Sequence, residues 1–225
     1  MEESPMLIAG LDEAGRGAAL GPLVIAGVLV KEDELPRLRE LGVKDSKLLS
    51  PHRREMLAVE VTKLAQDCTV AKLQPREIDV AVRSGRKLHK LNRLEAQTMA
   101  RVIEVLKPSK VFVDAADILE DRFKYHILEC MSFRPQIISE HRADKNYSVV
   151  SAASIIAKVE RDREIALLAK THGDIGSGYP SDPRTSNFLK ECMRKALEYP
   201  DFVRKSWKPV KKAKSEKGSY QVRLI

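Results

Sequence analysis

Apolar and polar positions along the chain fall into short unbroken runs and longer segments of helical period. Met6-Leu-Ile-Ala-Gly-Leu11 is one such run, halted by Asp12-Glu13; it is too short for a free-standing helix and predicts a buried strand. Leu23 to Val30 predicts a second, rich in branched side chains that suit a pleated surface. The glycine-containing connection between them is short enough to pair the two as a hairpin. Cys68 to Leu73, Val111 to Val113 and Gln136 to Ile138 predict further strands, the Val111 strand stopping at Asp114.

Helical segments separate these runs. Ser50 at a cap and Pro51 in the first turn open one that continues to about residue 65. Leu91, Leu94, Met99, Val102, Val105 and Leu106 recur at helical spacing until Lys107-Pro108 ends the pattern. Leu119 to Cys130 reads as a helix, and Ser148 to about Thr171 as a long one with Gly173 as its stop signal. A loop marked by Gly178, Pro180 and Pro183 precedes a helix from about Thr185 to Leu197. From Arg204 to Lys217 basic residues dominate and apolar ones thin out, which predicts a partly mobile tail.

Strands separated by helices place the chain in the α/β class, as a mixed five-stranded sheet flanked by helices with a small C-terminal helical extension. The expected division is residues 1–174 for the sheet domain and 175–225 for the helical part and basic tail. A chain of 225 residues, 43% hydrophobic, buries about 70% of its extended surface, so a site can be held on a real core. Cys68, Cys130 and Cys192 are odd in number and lack metal-ligand spacing, which fits free thiols in a reducing compartment. The apolar stretch Ala18 to Val30 carries Gly21, Pro22 and Gly27 and falls short of the roughly 20 residues of a membrane span. Glu2 and Glu3 stand where a signal peptide would be basic, so a cytoplasmic protein without membrane attachment is expected.

Lys and Arg number 40 against 32 Asp and Glu, a formal net charge of +8. This balance suits a polyanionic partner, because each phosphate neutralised releases condensed counterions. A solvated charged surface explains it equally well, so charge alone decides nothing.

The acids say more. Asp12 and Glu13 follow one buried run and Asp114 ends another, and in open α/β sheets sites form beyond the carboxyl ends of strands. Asp144, ahead of the long helix, can join them from the end of the fifth strand. Each acid alone reads as an ordinary turn or cap residue; together they form a set. Crowded carboxylates raise one another's pKa, and a hard divalent cation such as Mg²⁺ or Mn²⁺ removes that penalty. Two such ions support phosphodiester hydrolysis.

Between the acids and the second strand lies Ala14-Gly15-Arg16-Gly17-Ala18-Ala19-Leu20-Gly21-Pro22. Its glycines allow a phosphate close to the backbone, and Arg16 can pair with one. A dinucleotide-binding loop has loosely similar spacing but leads into a helix, whereas here Pro22 leads into a β-branched run beside two acids.

Gly10-Leu-Asp-Glu-Ala-Gly-Arg-Gly17 with Leu20-Gly-Pro22 resembles the opening signature of ribonuclease HII, the type 2 ribonuclease H family. The resemblance continues through Val43-Lys-Asp-Ser-Lys47, Val113-Asp114, Ala143-Asp144, Tyr147 to Lys158 and Ser177-Gly-Tyr-Pro-Ser-Asp182, in the family's order, over residues 7 to about 190. It is nearer to archaeal single-chain members than to bacterial ones. Ala18-Ala19 is a mild departure. The resemblance implies a ribonuclease H-like fold with Asp12, Glu13, Asp114 and Asp144 as the catalytic, metal-binding acids. It implies that Gly15, Arg16, Gly17 and Tyr179 hold the backbone and sense the 2′-hydroxyl at an RNA–DNA junction. The implied substrates are RNA–DNA hybrids and DNA containing ribonucleotides, cut on the 5′ side of a ribonucleotide to leave a 3′-hydroxyl. Two Mg²⁺ or Mn²⁺ ions and a monomeric enzyme are expected. The chemistry agrees, since a 2′-hydroxyl distinguishes RNA from DNA and an aromatic ring can stack on sugar or base.

Other residues carry less weight. Lys47, in the Asp45-Ser46-Lys47 loop, can meet a phosphate or merely support the fold. His141 is left outside the catalytic set, and Ser148, Ser151 and Ser154 read as helix-start and packing residues, with no His–acid partnership to activate them. Two other classes compete: a catalytically silent hybrid-binding protein, and a dinucleotide-using metabolic enzyme. Metal-dependent strand scission separates the first from a nuclease; saturable dinucleotide binding with weak salt dependence marks the second.

Overall fold

β1 (Leu7–Ala14) and β2 (Leu23–Lys31) pair antiparallel from Leu7↔Lys31 to Ala14↔Val24. In this computed structural model, which describes residues 5–43, 49–84, 90–195 and 198–211, they form the middle of one sheet ordered β3-β2-β1-β4-β5. β3 is Asp67–Leu73, β4 is Lys110–Asp114 and β5 is Gln136–Glu140. β4 runs parallel to β1 and to β5, so the sheet is mixed, as the alternation of runs and helices predicts.

The sequence pattern ends the first strand at Leu11, but β1 continues through Asp12, Glu13 and Ala14. Their partners Ala26, Ile25 and Val24 lie in an apolar strand whose ladder carries the acids along with it. Asp114 likewise closes β4 opposite Glu140 rather than following it. Two helices flank these strands much as expected: α4 (Lys90–Leu106) and α5 (Glu120–Leu128). The helix α2 (Pro51–Leu64) is capped by Ser50, whose hydroxyl accepts from Arg53 N. α7 (Ser148–His172) stops at Gly173, which takes φ +79°, and α8 spans Pro183–Lys195. Three helices have no counterpart in the sequence reading: α1 (Leu35–Glu40), α3 (Pro75–Arg83) and α6 (Ala143–Asn146). α3 carries a start signal that was legible, Pro75 followed by Glu77 reaching back to Gln74 N at 2.8 Å.

The residues group into two compact units. The first comprises residues 1–14, 24–72 and 87–160. In it, the small-residue face of α7 (Val149, Val150, Ala152, Ala153, Ile156) packs with Val24, Ala26, Val28 and Phe112 of the sheet. Gly10 makes this approach possible: a Cβ there would lie 2.3 Å from the backbone of Val149. Each large apolar side chain buried in this core contributes about 1.5–3 kcal/mol before entropy is subtracted.

The second unit comprises residues 15–23, 73–86 and 161–225, with Leu20, Ile165, Ile175, Leu189, Met193, Tyr199, Val203 and Val210 in its core. Arg204 to Val210 therefore begins no mobile tail. Leu20 bridges Val203, Arg204 is fully buried, and Val210 is packed, because apolar residues interleave with the basic ones. The remainder of the basic stretch, 212–217, lies outside the described residues. No helix among the described residues is long and apolar enough to cross a membrane.

Candidate active site

In the first unit, three elements deliver one aspartate each to a common point. Asp12 comes from β1, Asp114 from the end of the neighbouring parallel strand β4, and Asp144 from α6 just beyond β5. A carboxylate oxygen from each lies within 4.8 Å of the other two. Asp12 and Asp144 are buried and Asp114 is half-buried.

Burial, with the charge of Asp114 added, pushes the Asp12 carboxyl up from its ordinary range to about 7. A hydrogen bond from Ser154, the positive charge of Lys158 and the Glu13 N–H at 2.7 Å act in the opposite direction and do not prevail. Converging carboxylates that resist joint ionisation fit a hard cation, whose charge removes both penalties and whose preferred ligands are oxygens. The donor set thus suits a divalent metal ion.

Local contacts fix the two acids at the β4–β5 edge. Ala115 N donates to Glu140 O at 3.0 Å, and Ala143 N donates to Asp114 Oδ1 at 3.3 Å. The Ser151 hydroxyl lies 2.8 Å from the Asp144 carbonyl and 3.0 Å from that of Val43. Tyr147 stacks on Phe112, ring centroids 4.1 Å apart, and donates to Glu140 Oε1 at 2.9 Å.

Glu13 follows Asp12 in β1 and is half-buried; the group whose oxygens all lie within 4.8 Å of one another comprises the three aspartates. Lys47, with Asp45 and Ser46, falls outside the described residues. Gly15, Arg16, Gly17 and Tyr179 belong to the second unit. There Gly15 takes φ +88°, and a Cβ on it would meet Arg161 Nε at 2.4 Å. The Arg161 guanidinium lies over the Tyr179 ring, 4.4 Å from its centroid, and Nη2 donates to Ser177 O at 2.9 Å. Gly178 O accepts from Ala19 N and Leu20 N, so the glycine turn and the Tyr179 loop are bonded directly. Arg204 adds Nη1 to Arg16 O and Nε to Gly21 O, both at 3.1 Å. Asp182 accepts from Ser177 N at 2.7 Å and Arg184 N at 2.9 Å, and these bonds hold its pKa well below the usual range. Gly17 is exposed, with open space where a Cβ would stand.

Sequence reasoning missed Ser154 and Lys158 at the Asp12 carboxylate, Ser151 beneath Asp144, and Arg161 and Arg204. The spacing of Ser151, Ser154 and Lys158 on one face of α7 was the available signal. Lys158 Nζ donates to Ser154 Oγ one turn away, which lines both up under Asp12. Arg161 and Arg204 gave no signal, since a buried arginine cannot be told from a solvated one by its neighbours in sequence.

A mixed α/β sheet on which two buried aspartates and a half-buried one converge beside parallel strands suits a metal-dependent hydrolase. The model of the family described as ribonuclease HII matches residues 9–210. Ribonuclease HII of Thermococcus onnurineus is 50% identical over 209 residues, covering 92% of this chain and 89% of that protein. The crystal structure of ribonuclease H2 from Pyrococcus horikoshii OT3 superposes with a TM-score of 0.86 at 42% identity, over 94% of this chain and 98% of that one. The ribonuclease HII in the PCNA complex from Archaeoglobus fulgidus gives 0.82 at 43% identity, over 90% and 96%. The chain belongs to the ribonuclease HII family: it is a metal-dependent endonuclease for the RNA strand of RNA–DNA hybrids.

Proposed function

We propose that this enzyme cuts on the 5′ side of a ribonucleotide, including one embedded singly in duplex DNA, and leaves a 3′-hydroxyl. The observation that carries the reading is the approach of Asp12, Asp114 and Asp144 within 4.8 Å, supported by the family's hybrid-directed activity. Asp12, Asp114 and Asp144 would hold Mg²⁺ or Mn²⁺, and Glu13, next to Asp12, would serve a second ion. Such ions supply a nucleophilic water at neutral pH and neutralise charge on the phosphate.

The remaining work falls to the chain's own groups. Arg16 pairs with a phosphate, and the bare backbone of Gly17 lets the nucleic acid approach. Tyr179, with Arg161 covering one face of its ring, offers the other to the sugar that carries the 2′-hydroxyl. Lys47 contacts a phosphate in this reading. The enzyme acts as a monomer in this reading.

A duplex with one internal ribonucleotide, labelled at its 5′ end, tests the proposal. With Mg²⁺ or Mn²⁺ a single product ending in a 3′-hydroxyl, one nucleotide short of the ribose, is expected. Cleavage on the 3′ side, or no cleavage of this duplex alongside cleavage of a continuous hybrid, would refute it. Binding without scission at any metal concentration would instead favour a silent hybrid-binding protein.

A further inference from the structure

We propose that Glu120 and His141 are positioning residues that set the separation of Asp114 and Asp144, and so govern how tightly the divalent ion is held. The inference rests on reading those aspartates as metal ligands.

β4 and β5 keep their two chains in register only as far as Asp114 opposite Glu140, with the bond from Ala115 N to Glu140 O as the last rung. Beyond it the chains diverge, one into the 115–119 loop and one into the turn that leads to Asp144. Two hydrogen bonds tie them together again. Glu120 Oε1 accepts from His141 N at 2.7 Å, and His141 Nε2 donates to the Ile118 carbonyl at 3.1 Å.

α5, which begins at Glu120, packs against β5, but packing restrains the loop tip ahead of it little. Ile118 is 85% exposed and Leu119 55%, so the loop tip has little apolar anchorage. Asp117, almost fully buried, is bonded to Arg122, to Leu119 N and to Asn92 of α4, which steadies the base of the loop but not its tip. The Asp144 side, by contrast, is fastened independently through Ser151 and Tyr147.

The turn between His141 and Asp144 also needs restraint. Arg142 sits at φ 59°, ψ 34°, a left-handed conformation that costs a non-glycine residue about 1 kcal/mol or more. It is held from one side by His141 and from the other by Ala143 N on Asp114 Oδ1. Freeing His141 loosens the turn and the loop after Asp114 together. A hard cation needs its oxygens at fixed separations, and loss of groups that orient such ligands typically weakens metal binding by about 10- to 100-fold.

The test is Mn²⁺ titration calorimetry on the full chain without substrate, beside the metal dependence of hybrid cleavage. His141→Ala and Glu120→Ala should each weaken Mn²⁺ binding about tenfold and raise the half-maximal metal concentration equally. Most of kcat should return at saturating metal, and KM for the hybrid should hold. His141→Gln, whose amide can still donate to the Ile118 carbonyl, should recover most of the affinity. Unchanged Mn²⁺ affinity in the folded His141→Ala protein, a fall in Tm with no change in metal affinity, or a loss of kcat that metal does not restore would overturn the proposal. Asp114→Asn separates it from the ligand reading. If that variant still binds Mn²⁺ normally, the ligand assignment fails; if it loses binding while His141→Ala does not, only the positioning role fails.

Discussion

Asp12 and Asp114, on neighbouring parallel strands, bring carboxylate oxygens within 4.8 Å, and the second acid helps drive the first up to about 7. An acid whose folded pKa lies above its ordinary value of 3.8 favours folding while protonated. That contribution is whole below about pH 4 and is lost as pH rises through about 7. Metal-free protein should therefore lose stability over this window relative to Asp12→Asn, the variant overtaking the parent at pH 8 but not at pH 4. Denaturant melts in EDTA at the two pH values measure it, and parallel behaviour of the two proteins would count against a raised Asp12 pKa. Because the ion must displace this proton, Mg²⁺ or Mn²⁺ affinity should fall roughly tenfold per pH unit below 7.

Asp114→Asn keeps the size of the side chain and the acceptor for Ala143 N while removing charge from the metal cluster. Cleavage should fall by at least about a thousandfold, while hybrid binding, carried by basic groups, stays within severalfold. Gel-shift and single-turnover assays with ample Mg²⁺ check the two halves separately. Near-normal turnover would remove Asp114 from the active site.

Two glycines of one turn should respond oppositely to alanine. Gly15→Ala places a Cβ at φ +88° against Arg161 and should cost about 2 kcal/mol or more in stability. Gly17→Ala meets nothing in the protein, so stability should hold within about 0.5 kcal/mol. If the nucleic-acid backbone passes there, kcat/KM should nevertheless drop tenfold or more. An unaffected kcat/KM in the Gly17 variant would take the substrate out of that space.

Arg204 should prove structural although it lies in a basic stretch. Arg204→Met deprives the Arg16 and Gly21 carbonyls of a donor and should lower stability by about 3 kcal/mol, read by denaturant unfolding. A loss under about 1 kcal/mol would show that water replaces the guanidinium.

Much of the fold was legible because its signals are local. The branched run of β2, the Ser50 cap, the helical period of α4 and the stop at Gly173 each depend on residues a few positions apart. The acids at Asp12, Asp114 and Asp144 were legible as candidates because each breaks an apolar run or sits in a motif of the family. The extension of β1 through Asp12 to Ala14 was not, since its cause is the facing strand. α3 was passed over although Pro75 and Glu77 mark its start, because its nine residues give little more than two turns of periodicity to read.

The sequence by itself determined the order of strands and helices, the α/β class and the acidic and glycine-rich motifs, because periodicity, capping and turn chemistry act over a few residues. Tertiary structure alone decided that three aspartates share one point and that Asp12 resists ionisation. It also decided that residues 15–23, 73–86 and 161–225 form one unit, with Arg204 at full burial inside it. Distance and desolvation set those properties, and both arise only when segments far apart in the chain pack together.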